Sequence, residues 1–340
     1  MQPLTDILTD KSILITGGTG SFGHAFVRSV LANAKPKKVI VFSRDEQKHH
    51  AMQKLIGDSR VRYFVGDVRD LSRMQLALRG VDFVIHAAAM KHVHLCEYNP
   101  LEAIHTNITG TVNLIQAALE TGVKKVVGLS TDKAVSPSNL YGATKLCLEK
   151  LLTAANSYSG DLSTRFSAVR YGNVMGSNGS VIPLFLQQRE QGRITITDSR
   201  MTRFWIEMDD AVELVFKALN LMQGGEIFIP KLQAATITQV AETLAPGVPR
   251  DVIGIRPGEK LHECLIGPEE CRHARDLGDL LLVEPEHVSW SRERPHGGET
   301  LPDSFTYTSD RDDLLLADRE VEKLLRGMQG GPILGPNNVV

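Results

Sequence analysis

The chain has 340 residues, of which 42% are hydrophobic and 23% are charged, as is typical of globular proteins rather than disordered or fibrous ones. Its formal net charge is −2 and its lysines and arginines are scattered, so we expect no nucleic-acid partner. Chains of this length tend to divide into more than one hydrophobic core. We therefore expect two lobes around a cleft.

The sequence indicates neither secretion nor a membrane span. Its first ten residues, MQPLTDILTD, carry acids where a secretory signal needs a basic flank. No apolar run approaches the roughly 20 residues that cross a bilayer, so we expect a cytoplasmic protein with no membrane partner. The cysteines have neither C-x-x-C nor zinc-like spacing, which predicts reduced thiols and no metal site. These cysteines are Cys96, Cys147, Cys264 and Cys271.

Strand-like and helix-like segments alternate through the first half of the chain. A strand around Ile13–Ile15 leads through a glycine-rich turn into a helix from Phe22 to Leu31. The apolar runs are nearly continuous rather than alternating, which is typical of parallel strands covered by helices on both faces. The sequence therefore predicts an α/β protein with a doubly wound parallel (Rossmann) sheet. The later predicted elements are strands at 39–42, 61–65, 81–86, 126–129 and 166–171, and helices through the fifties and at 71–78.

The rhythm breaks after Tyr171, where the segment GNVMGSNGS is typical of a loop that crosses into another lobe. A helix at 209–221 and a strand at 226–229 then resume, and we expect this strand to return to the sheet. Beyond residue 231 the pattern is shorter, ending in a helix at 318–325. We assign residues 1–175 and about 205–230 to a dinucleotide-binding domain. A smaller C-terminal substrate-binding lobe takes about 176–204 and 231–340.

Glycines 17, 20 and 23 lie between the first predicted strand and the first predicted helix. Such glycines allow a tight turn and let a pyrophosphate approach backbone N–H groups at the positive end of a helix. A purely structural turn is the alternative, but the strand–turn–helix context favours dinucleotide binding. The predicted contacts in this loop are Gly17, Thr19, Gly20, Ser21, Phe22 and Gly23.

The end of the second strand predicts which dinucleotide binds. An acid there would bind the ribose hydroxyls of NAD, whereas this chain has Ser43 and Arg44, with Lys48 one turn further on. A guanidinium pairs well with the 2′-phosphate of NADP. Asp45 and Glu46 fit the start of the next helix, where negative charge is favourable. The prediction is NADP.

The segment Gly66-Asp67-Val68 follows the third predicted strand. At the carboxyl end of that strand, Asp67 is placed to bind the adenine amino group. A helix cap is the alternative for Asp67, and it is compatible with cofactor binding. Asp67 and Val68 are therefore predicted cofactor contacts.

Tyr141 and Lys145 stand one helical turn apart on the same face. A nearby ammonium and an oxidised nicotinamide would together lower the pKa of the phenol, ordinarily about 10, enough for it to act as a base. A chance pair on an exposed helix is the alternative. The preceding strand, and Thr131 ten residues before the tyrosine, favour catalysis.

Thr131, Asp132 and Lys133 directly follow the strand at 126–129, at the sheet edge where ligands bind. An adjacent acid and amine supply what an elimination needs, one group to remove a carbon-bound proton and one to protonate a departing hydroxyl. As a base, Lys133 needs a pKa below its ordinary value of about 10.4, and burial beside a positive nicotinamide would lower it. A surface salt bridge is the alternative.

Eight segments resemble, in order, the motif series of the inverting UDP-N-acetylglucosamine 4,6-dehydratases, which are extended short-chain dehydrogenases/reductases. The resemblance is dense over about residues 10 to 265. Beyond it, the segment from Phe305 to Asp310 resembles a late part of the family's substrate lobe. The eight segments are TGGTGSFG, SRDE, GDVRD, AAAMKHV, STDKAVSPSNLYGATK, RYGNVMGS, MTRFWI and RPGEK.

The resemblance implies a cycle in which NADP takes hydride from sugar carbon 4 while Tyr141, helped by Lys145, receives the hydroxyl proton. Lys133 then removes the carbon 5 proton and Asp132 protonates the leaving hydroxyl at carbon 6. Hydride returns to carbon 6, and reprotonation of carbon 5 from the opposite face gives an inverted 4-keto-6-deoxy sugar, the first step toward pseudaminic acid.

The resemblance also implies further contacts and a homo-oligomer, either a dimer or a hexamer. Asn178 stands where many relatives have arginine, a change expected to alter affinity for the UDP-sugar without changing the reaction. The remaining implied contacts are Ala87 and Lys91 for the cofactor, and Lys91, Thr131, Asn173, Asn178, Arg203, Arg256 and Glu259 for the substrate.

Three alternatives are compatible with parts of the sequence. Retaining 4,6-dehydratases share the segment from Ser130 to Lys133, but they typically carry methionine in place of Tyr141 and a membrane anchor. A nucleotide-sugar 4-epimerase needs the tyrosine and Lys145 but no acid–amine pair. A non-catalytic NADP-binding regulator would be expected to lose the tyrosine or the lysine, and both are present.

Overall fold

The computed structural model describes residues 4–160, 162–177, 179–290 and 296–327. Within these ranges, none of the helices is both long and apolar enough to cross a membrane. A π-helical turn, His105–Thr109, joins two of them. The helices are α1 Ser21–Asn33, α2 Glu46–Ile56, α3 Leu71–Ala77, α4 Val93–Tyr98, α5 Pro100–Ile104, α6 Gly110–Thr121, α7 Leu140–Tyr158, α8 Val181–Glu190, α9 Met208–Leu221, α10 Ile237–Leu244 and α11 Asp318–Gly327. Short 3₁₀ turns occur at Leu4–Leu8, Asp132–Ala134, Cys271–His273 and Asp312–Leu314.

The strands form one large sheet and three small ones. They are β1 Ser12–Thr16, β2 Lys38–Ser43, β3 Val61–Val65, β4 Phe83–His86, β5 Lys125–Leu129, β6 Arg165–Val169, β7 Asn173–Val174, β8 Ile194–Ile196, β9 Thr202–Ile206, β10 Ile227–Pro230, β11 Ala234–Thr236, β12 Arg250–Val252, β13 Cys264–Ile266, β14 Ala274–Asp276, β15 Leu280–Val283, β16 Glu299–Thr300 and β17 Tyr307–Thr308.

The large sheet has the order β16-β14-β15-β10-β6-β5-β4-β1-β2-β3. Strands β1 to β6 and β10 run parallel, and the order β3-β2-β1-β4-β5-β6 is that of a doubly wound dinucleotide-binding sheet. The predicted fold class is therefore confirmed, and so is the return of the strand at 226–229 to the sheet. Because the strands are parallel, their carboxyl ends meet at one edge.

The structure departs from the predicted elements in three places. The segment GNVMGSNGS is not all loop, because β7 within it pairs with β9. Strands β14, β15 and β16, expected in the smaller lobe, extend the large sheet with antiparallel pairing.

Asp70, not Asp67, caps α3 by accepting the Arg73 N–H, so the proposed helix-cap role of Asp67 is wrong. Asp45 caps α2 as predicted.

A second hydrophobic cluster lies apart from the core of the large sheet. It is built by apolar side chains of α8, α10 and α11 together with β8 and β9. Phe185, Trp205, Val240 and Leu325 are each at most 4% exposed within it. We call this second cluster and the elements around it the smaller lobe.

A buried ion-pair cluster ties the end of β6 to two other elements. Arg170 is 0% exposed, and its guanidinium donates to Glu149 of α7 at 2.9 and 2.6 Å. It also donates to Glu270 at 2.8 Å through each of two nitrogens, and to the Leu265 carbonyl of β13 at 2.7 Å. Arg170 therefore fixes α7 and the segment from β13 to Glu270 against the sheet.

We expect Arg170→Met to lower the free energy of unfolding by about 3–5 kcal/mol, because it leaves the Glu149 charge buried without its partner. Arg193→Met is the control, since it breaks an ion pair with Asp251 in which both side chains are exposed. That loss should be below about 1 kcal/mol. Urea unfolding of both variants measures the difference, and equal losses would contradict the role given to Arg170.

Candidate active site

A cleft of about 870 Å³ runs along the carboxyl ends of the parallel strands and ends against the smaller lobe. Most of the predicted site residues line it. Gly23 and Asp132 are not among its lining residues, and Asn178 falls outside the described residues. The predicted residues that line it are Gly17, Thr19, Gly20, Ser21, Phe22, Ser43, Arg44, Lys48, Asp67, Val68, Ala87, Lys91, Thr131, Lys133, Tyr141, Lys145, Asn173, Arg203, Arg256 and Glu259.

The loop between β1 and α1 forms a cradle that only glycine permits. Gly17 has φ +64, and a Cβ there would lie 2.9 Å from the backbone of Ala88. A Cβ on Gly23 would lie 2.1 Å from the carbonyl oxygen of Gly18, so this glycine lets helix and loop pack closely. Helix α1 begins at Ser21 and points its positive end at the cleft. The cradle therefore fits a dinucleotide diphosphate.

Two exposed cations lie at the cleft end formed by β2 and α2. The Arg44 side chain is 56% exposed and lies 3.8 Å from Asp67, which is also bound by Arg69 at 2.7 Å. The Lys48 side chain is 50% exposed. Ser43 Oγ shares a hydrogen bond of 2.9 Å with the Thr19 hydroxyl. Because Arg44 and Lys48 are only loosely paired, their charges are available to an anion.

Tyr141 and Lys145 lie together in the first turns of α7. Lys145 Nζ donates to the Leu129 carbonyl at 2.7 Å, and burial lowers the pKa of this amine to about 8. Burial raises the pKa of Tyr141 to about 12, although the Lys133 charge and a hydrogen bond with Thr131 oppose that rise. The charges of the chain alone therefore do not lower the pKa of Tyr141 as the sequence analysis expects.

The acid and amine after β5 are in direct contact. Lys133 Nζ lies 3.0 Å from Asp132 Oδ1, which also accepts a 3.0 Å hydrogen bond from Thr131 Oγ1, and Asn173 Oδ1 accepts from the amine at 3.4 Å. Asp132 is 0% exposed, and its Oδ2 has no hydrogen-bond partner among the described residues. Burial raises the pKa of Asp132, although Lys133 opposes the rise. The pair is therefore not a surface salt bridge.

Sequence reasoning missed Glu263. Its Oε1 lies 3.0 Å from Lys133 Nζ, and the residue is 2% exposed. Burial alone would lower the pKa of Lys133, but the Asp132 and Glu263 carboxylates outweigh burial and raise it. The expected lowering of the Lys133 pKa is therefore wrong for the chain itself. The only sequence signal was an acid three residues after the segment RPGEK.

The arginines predicted to frame the nucleotide differ in their surroundings. Arg203 is 6% exposed, and its guanidinium donates to the carbonyls of Thr202, Lys260 and Leu261 at 2.7 to 3.1 Å. The bonds to Lys260 and Leu261 thus attach the segment before β13 to β9. Arg256 is 55% exposed and is therefore the more accessible of the two arginines to a ligand.

Lys91 is the remaining cation of the cleft wall. It follows β4 and is exposed along the cleft, and desolvation by the surrounding cleft wall lowers the pKa of its amine. No trio of His, Cys, Asp or Glu side chains in the described ranges is grouped so that it could hold a metal ion.

The profile of the family described as polysaccharide biosynthesis protein matches residues 13–285. A UDP-N-acetylglucosamine 4,6-dehydratase (inverting) of Campylobacter jejuni is 47% identical over 329 residues, which cover 94% of this chain and 98% of that relative. A UDP-glucose 4-epimerase of Rickettsia canadensis is 44% identical over 286 residues, which cover 82% of this chain and 84% of that relative.

Solved structures share the fold over most of the chain. The X-ray structure of Pen from Bacillus thuringiensis has a TM-score of 0.88 at 40% identity and covers 95% of this chain and 99% of its own. DesIV of Streptomyces venezuelae, a dTDP-glucose 4,6-dehydratase solved with NAD and TYD bound, has a TM-score of 0.66 at 27% identity, with 74% and 86% coverage. With a profile match and relatives at this identity, the chain belongs to the polysaccharide biosynthesis protein family.

Proposed function

We propose that this protein is a UDP-N-acetylglucosamine 4,6-dehydratase that inverts carbon 5 and works through bound NADP. The observation that carries the proposal is the 3.0 Å contact between the buried Asp132 and Lys133, placed beside Tyr141 at the carboxyl edge of the sheet. The naming of relatives 46–47% identical over 94% of the chain as inverting dehydratases supports it.

The cleft residues suit NADP in their chemistry. The glycine cradle before α1 would hold the diphosphate, and the exposed cations Arg44 and Lys48 would pair with the 2′-phosphate. Bound NADP would supply the hydride chemistry of the reaction, at carbon 4 and then at carbon 6 of the sugar. Lys91, whose pKa is lowered by desolvation, lies in the wall of the same cleft.

Tyr141 serves the redox half of the proposed reaction by taking the proton of the carbon 4 hydroxyl. Lys145, fixed by its 2.7 Å bond to the Leu129 carbonyl, keeps a positive charge one turn further along α7. The ketone formed at carbon 4 acidifies the proton at carbon 5. The tyrosine thereby prepares the elimination that Asp132 and Lys133 carry out.

Asp132 and Lys133 serve the elimination. Passing one proton from Lys133 Nζ to Asp132 Oδ1 gives a neutral amine and a carboxylic acid in a single step across their 3.0 Å contact. The amine then removes the carbon 5 proton, and the acid protonates the carbon 6 hydroxyl, which leaves as water. The unpaired Oδ2 of Asp132 and the raised pKa of this carboxyl suit the acid role.

A 4-epimerase is the second candidate, because relatives named UDP-glucose 4-epimerase are 43–44% identical over 82% of the chain. Tyr141 and Lys145 would serve that reaction equally well. An epimerase neither loses water nor exchanges the carbon 5 proton. Incubation with UDP-N-acetylglucosamine in heavy water, followed by proton NMR, tests the proposal: the dehydratase gives a 6-deoxy-4-keto sugar with deuterium at carbon 5.

The wider biological assignment follows from the proposed reaction. We propose that the product enters bacterial surface-glycan synthesis on the route to pseudaminic acid, and that the working form is a homo-oligomer. Arg203, Arg256, Glu259 and Asn173 are the proposed contacts to the UDP-sugar. Detection of pseudaminic acid precursors after coupling to the next enzyme tests the route, and light scattering tests the assembly.

We expect Arg44→Asp to weaken NADP binding about 10- to 100-fold while NAD binding changes little, because the change removes a charge-assisted contact to the 2′-phosphate. Calorimetric titration with both nucleotides measures the two affinities. Arg79→Asp makes the same change at an exposed arginine that does not line the cleft, and it should alter neither. Unchanged NADP affinity in Arg44→Asp would refute the assignment of the phosphate site.

We expect Tyr141→Phe to lower turnover by about 10²–10⁴, since it removes the base of the redox step. Both the transient reduction of NADP and the keto sugar should be lost together, as measured by absorbance and NMR. The control is Tyr158→Phe, which removes a hydroxyl from a tyrosine at the exposed far end of the same helix. Normal turnover of Tyr141→Phe would contradict the redox role.

We expect Lys133→Met to abolish carbon 5 exchange and keto-sugar formation while transient reduction of NADP survives, because Tyr141 and Lys145 remain. Methionine keeps the aliphatic length and deletes the basic nitrogen. Lys124→Met, at a half-exposed lysine paired with Asp82, is the control and should retain activity. If folded Lys133→Met protein, checked by thermal melting, makes the keto sugar at a near-normal rate, Lys133 is not the base.

A further inference from the structure

Glu263 is a buried carboxylate fixed between two cations. Its Oε1 lies 3.0 Å from Lys133 Nζ and 3.7 Å from Arg203 Nε, and the residue is 2% exposed. Its backbone is held by Ser309, whose Oγ accepts the Glu263 N–H and whose N–H donates to the Glu263 carbonyl, both at 2.9 Å. Hydrogen bonds to Ser309 thus fix the backbone of Glu263, directly before β13, and ion pairs fix its side chain.

The charges around Glu263 nearly balance. Asp132 and Glu263 provide two carboxylates, and Lys133 and Arg203 provide two cations. Removal of the Glu263 charge would therefore leave an excess of positive charge beside the amine. The other ionisable groups that face this cluster are Tyr141 of α7, Lys260, whose Nζ donates to the Val135 carbonyl at 2.6 Å, and His262, whose Nδ1 shares a 2.8 Å hydrogen bond with Thr202 Oγ1.

The Asp132–Lys133 pair exchanges one proton during the proposed elimination. The neutral amine takes the carbon 5 proton and becomes an ammonium, and the carbon–hydrogen electron pair forms the double bond between carbons 5 and 6. Asp132 gives its proton to the carbon 6 oxygen, which leaves as water with its bonding electrons. The pair thus returns to an ammonium and a carboxylate, the state that a fixed anion beside Lys133 favours.

We propose that Glu263 is a positioning residue for the elimination, holding the Lys133 amine against Asp132 and drawing the shared proton of the pair onto Lys133. It acts through Lys133 rather than on the sugar. The part concerning catalysis rests on the proposed dehydratase function, whereas the effect on Lys133 does not. The Oε2 of Glu263 has no hydrogen-bond partner among the described residues. The charge of this carboxylate therefore acts mainly on Lys133 and Arg203.

The test compares Glu263→Gln, which keeps the shape and removes the charge, with Glu263→Asp, which keeps the charge on a shorter side chain. Glu269→Gln is the control, because it removes the same charge from an exposed position on the next turn of chain. Competitive acetylation of the full-length protein across a pH series, read by mass spectrometry, gives the reactivity of Lys133 relative to exposed Lys37. The pH profile of carbon 5 exchange with heavy water is the second measurement.

Loss of the anion lowers the proton affinity of Lys133, so in Glu263→Gln the pH at which Lys133 becomes reactive should fall by about 1–3 units. The acidic limb of the exchange profile should move in the same direction. Glu269→Gln should leave both unchanged. A structural role alone would lower thermal stability without moving either midpoint.

A folded Glu263→Gln protein with the wild-type labelling profile would overturn the proposal. If that variant does not fold, Glu263→Asp provides the test. Its contact to Lys133 is longer, so the labelling midpoint must shift downward by a smaller amount. An unshifted midpoint would overturn the proposal equally. If the wild-type protein forms no dehydrated product, the proposed function fails, and the labelling still decides whether Glu263 controls Lys133.

Discussion

Charge buried beneath the carboxyl edge of the sheet is tolerated in this protein only because it is paired, and Arg170 is the clearest case. Its guanidinium joins the end of β6 to Glu149 of α7 and to Glu270 beyond β13. Glu149 lies one helical turn after Lys145, and Glu270 lies seven residues after Glu263. The redox residues and the carboxylate beside Lys133 therefore stand on the two elements that this one side chain locks to the sheet.

The same requirement shapes the elimination site. A lysine buried alone would lose its proton, and a carboxyl buried alone would gain one. Placed 3.0 Å apart and joined by Glu263, the groups of this site retain a proton that can pass between them. Parallel strands bring such residues together, because the loops after β1, β2, β4 and β5 all open at one edge. The chemistry is thus assembled from short segments far apart in sequence.

How far the sequence predicts this arrangement depends on whether a feature is local. Continuous apolar runs and the glycine spacing predict the parallel sheet and its cradle, because both follow from neighbouring residues. The contact between Lys133 and Glu263 joins positions 130 residues apart, and no periodicity reveals it. Strands β14 to β16 are short and antiparallel, so their pattern does not separate them from the smaller lobe. The pKa of Lys133 is unpredictable from sequence for the same reason, since the Glu263 carboxylate that raises it is distant along the chain.

Burial acts in opposite directions on the two residues of the redox half. It lowers the pKa of Lys145 to about 8 and raises that of Tyr141 to about 12, because burial removes hydration from the charged form of each side chain. Lys133 opposes the rise at Tyr141, but Glu263 and Asp132 already neutralise much of its charge. The chain therefore holds the phenol at the cleft wall without ionising it. In the proposed reaction, the positive charge of an oxidised nicotinamide would favour the phenolate, so Tyr141 would be available as a base only when the cofactor is in place.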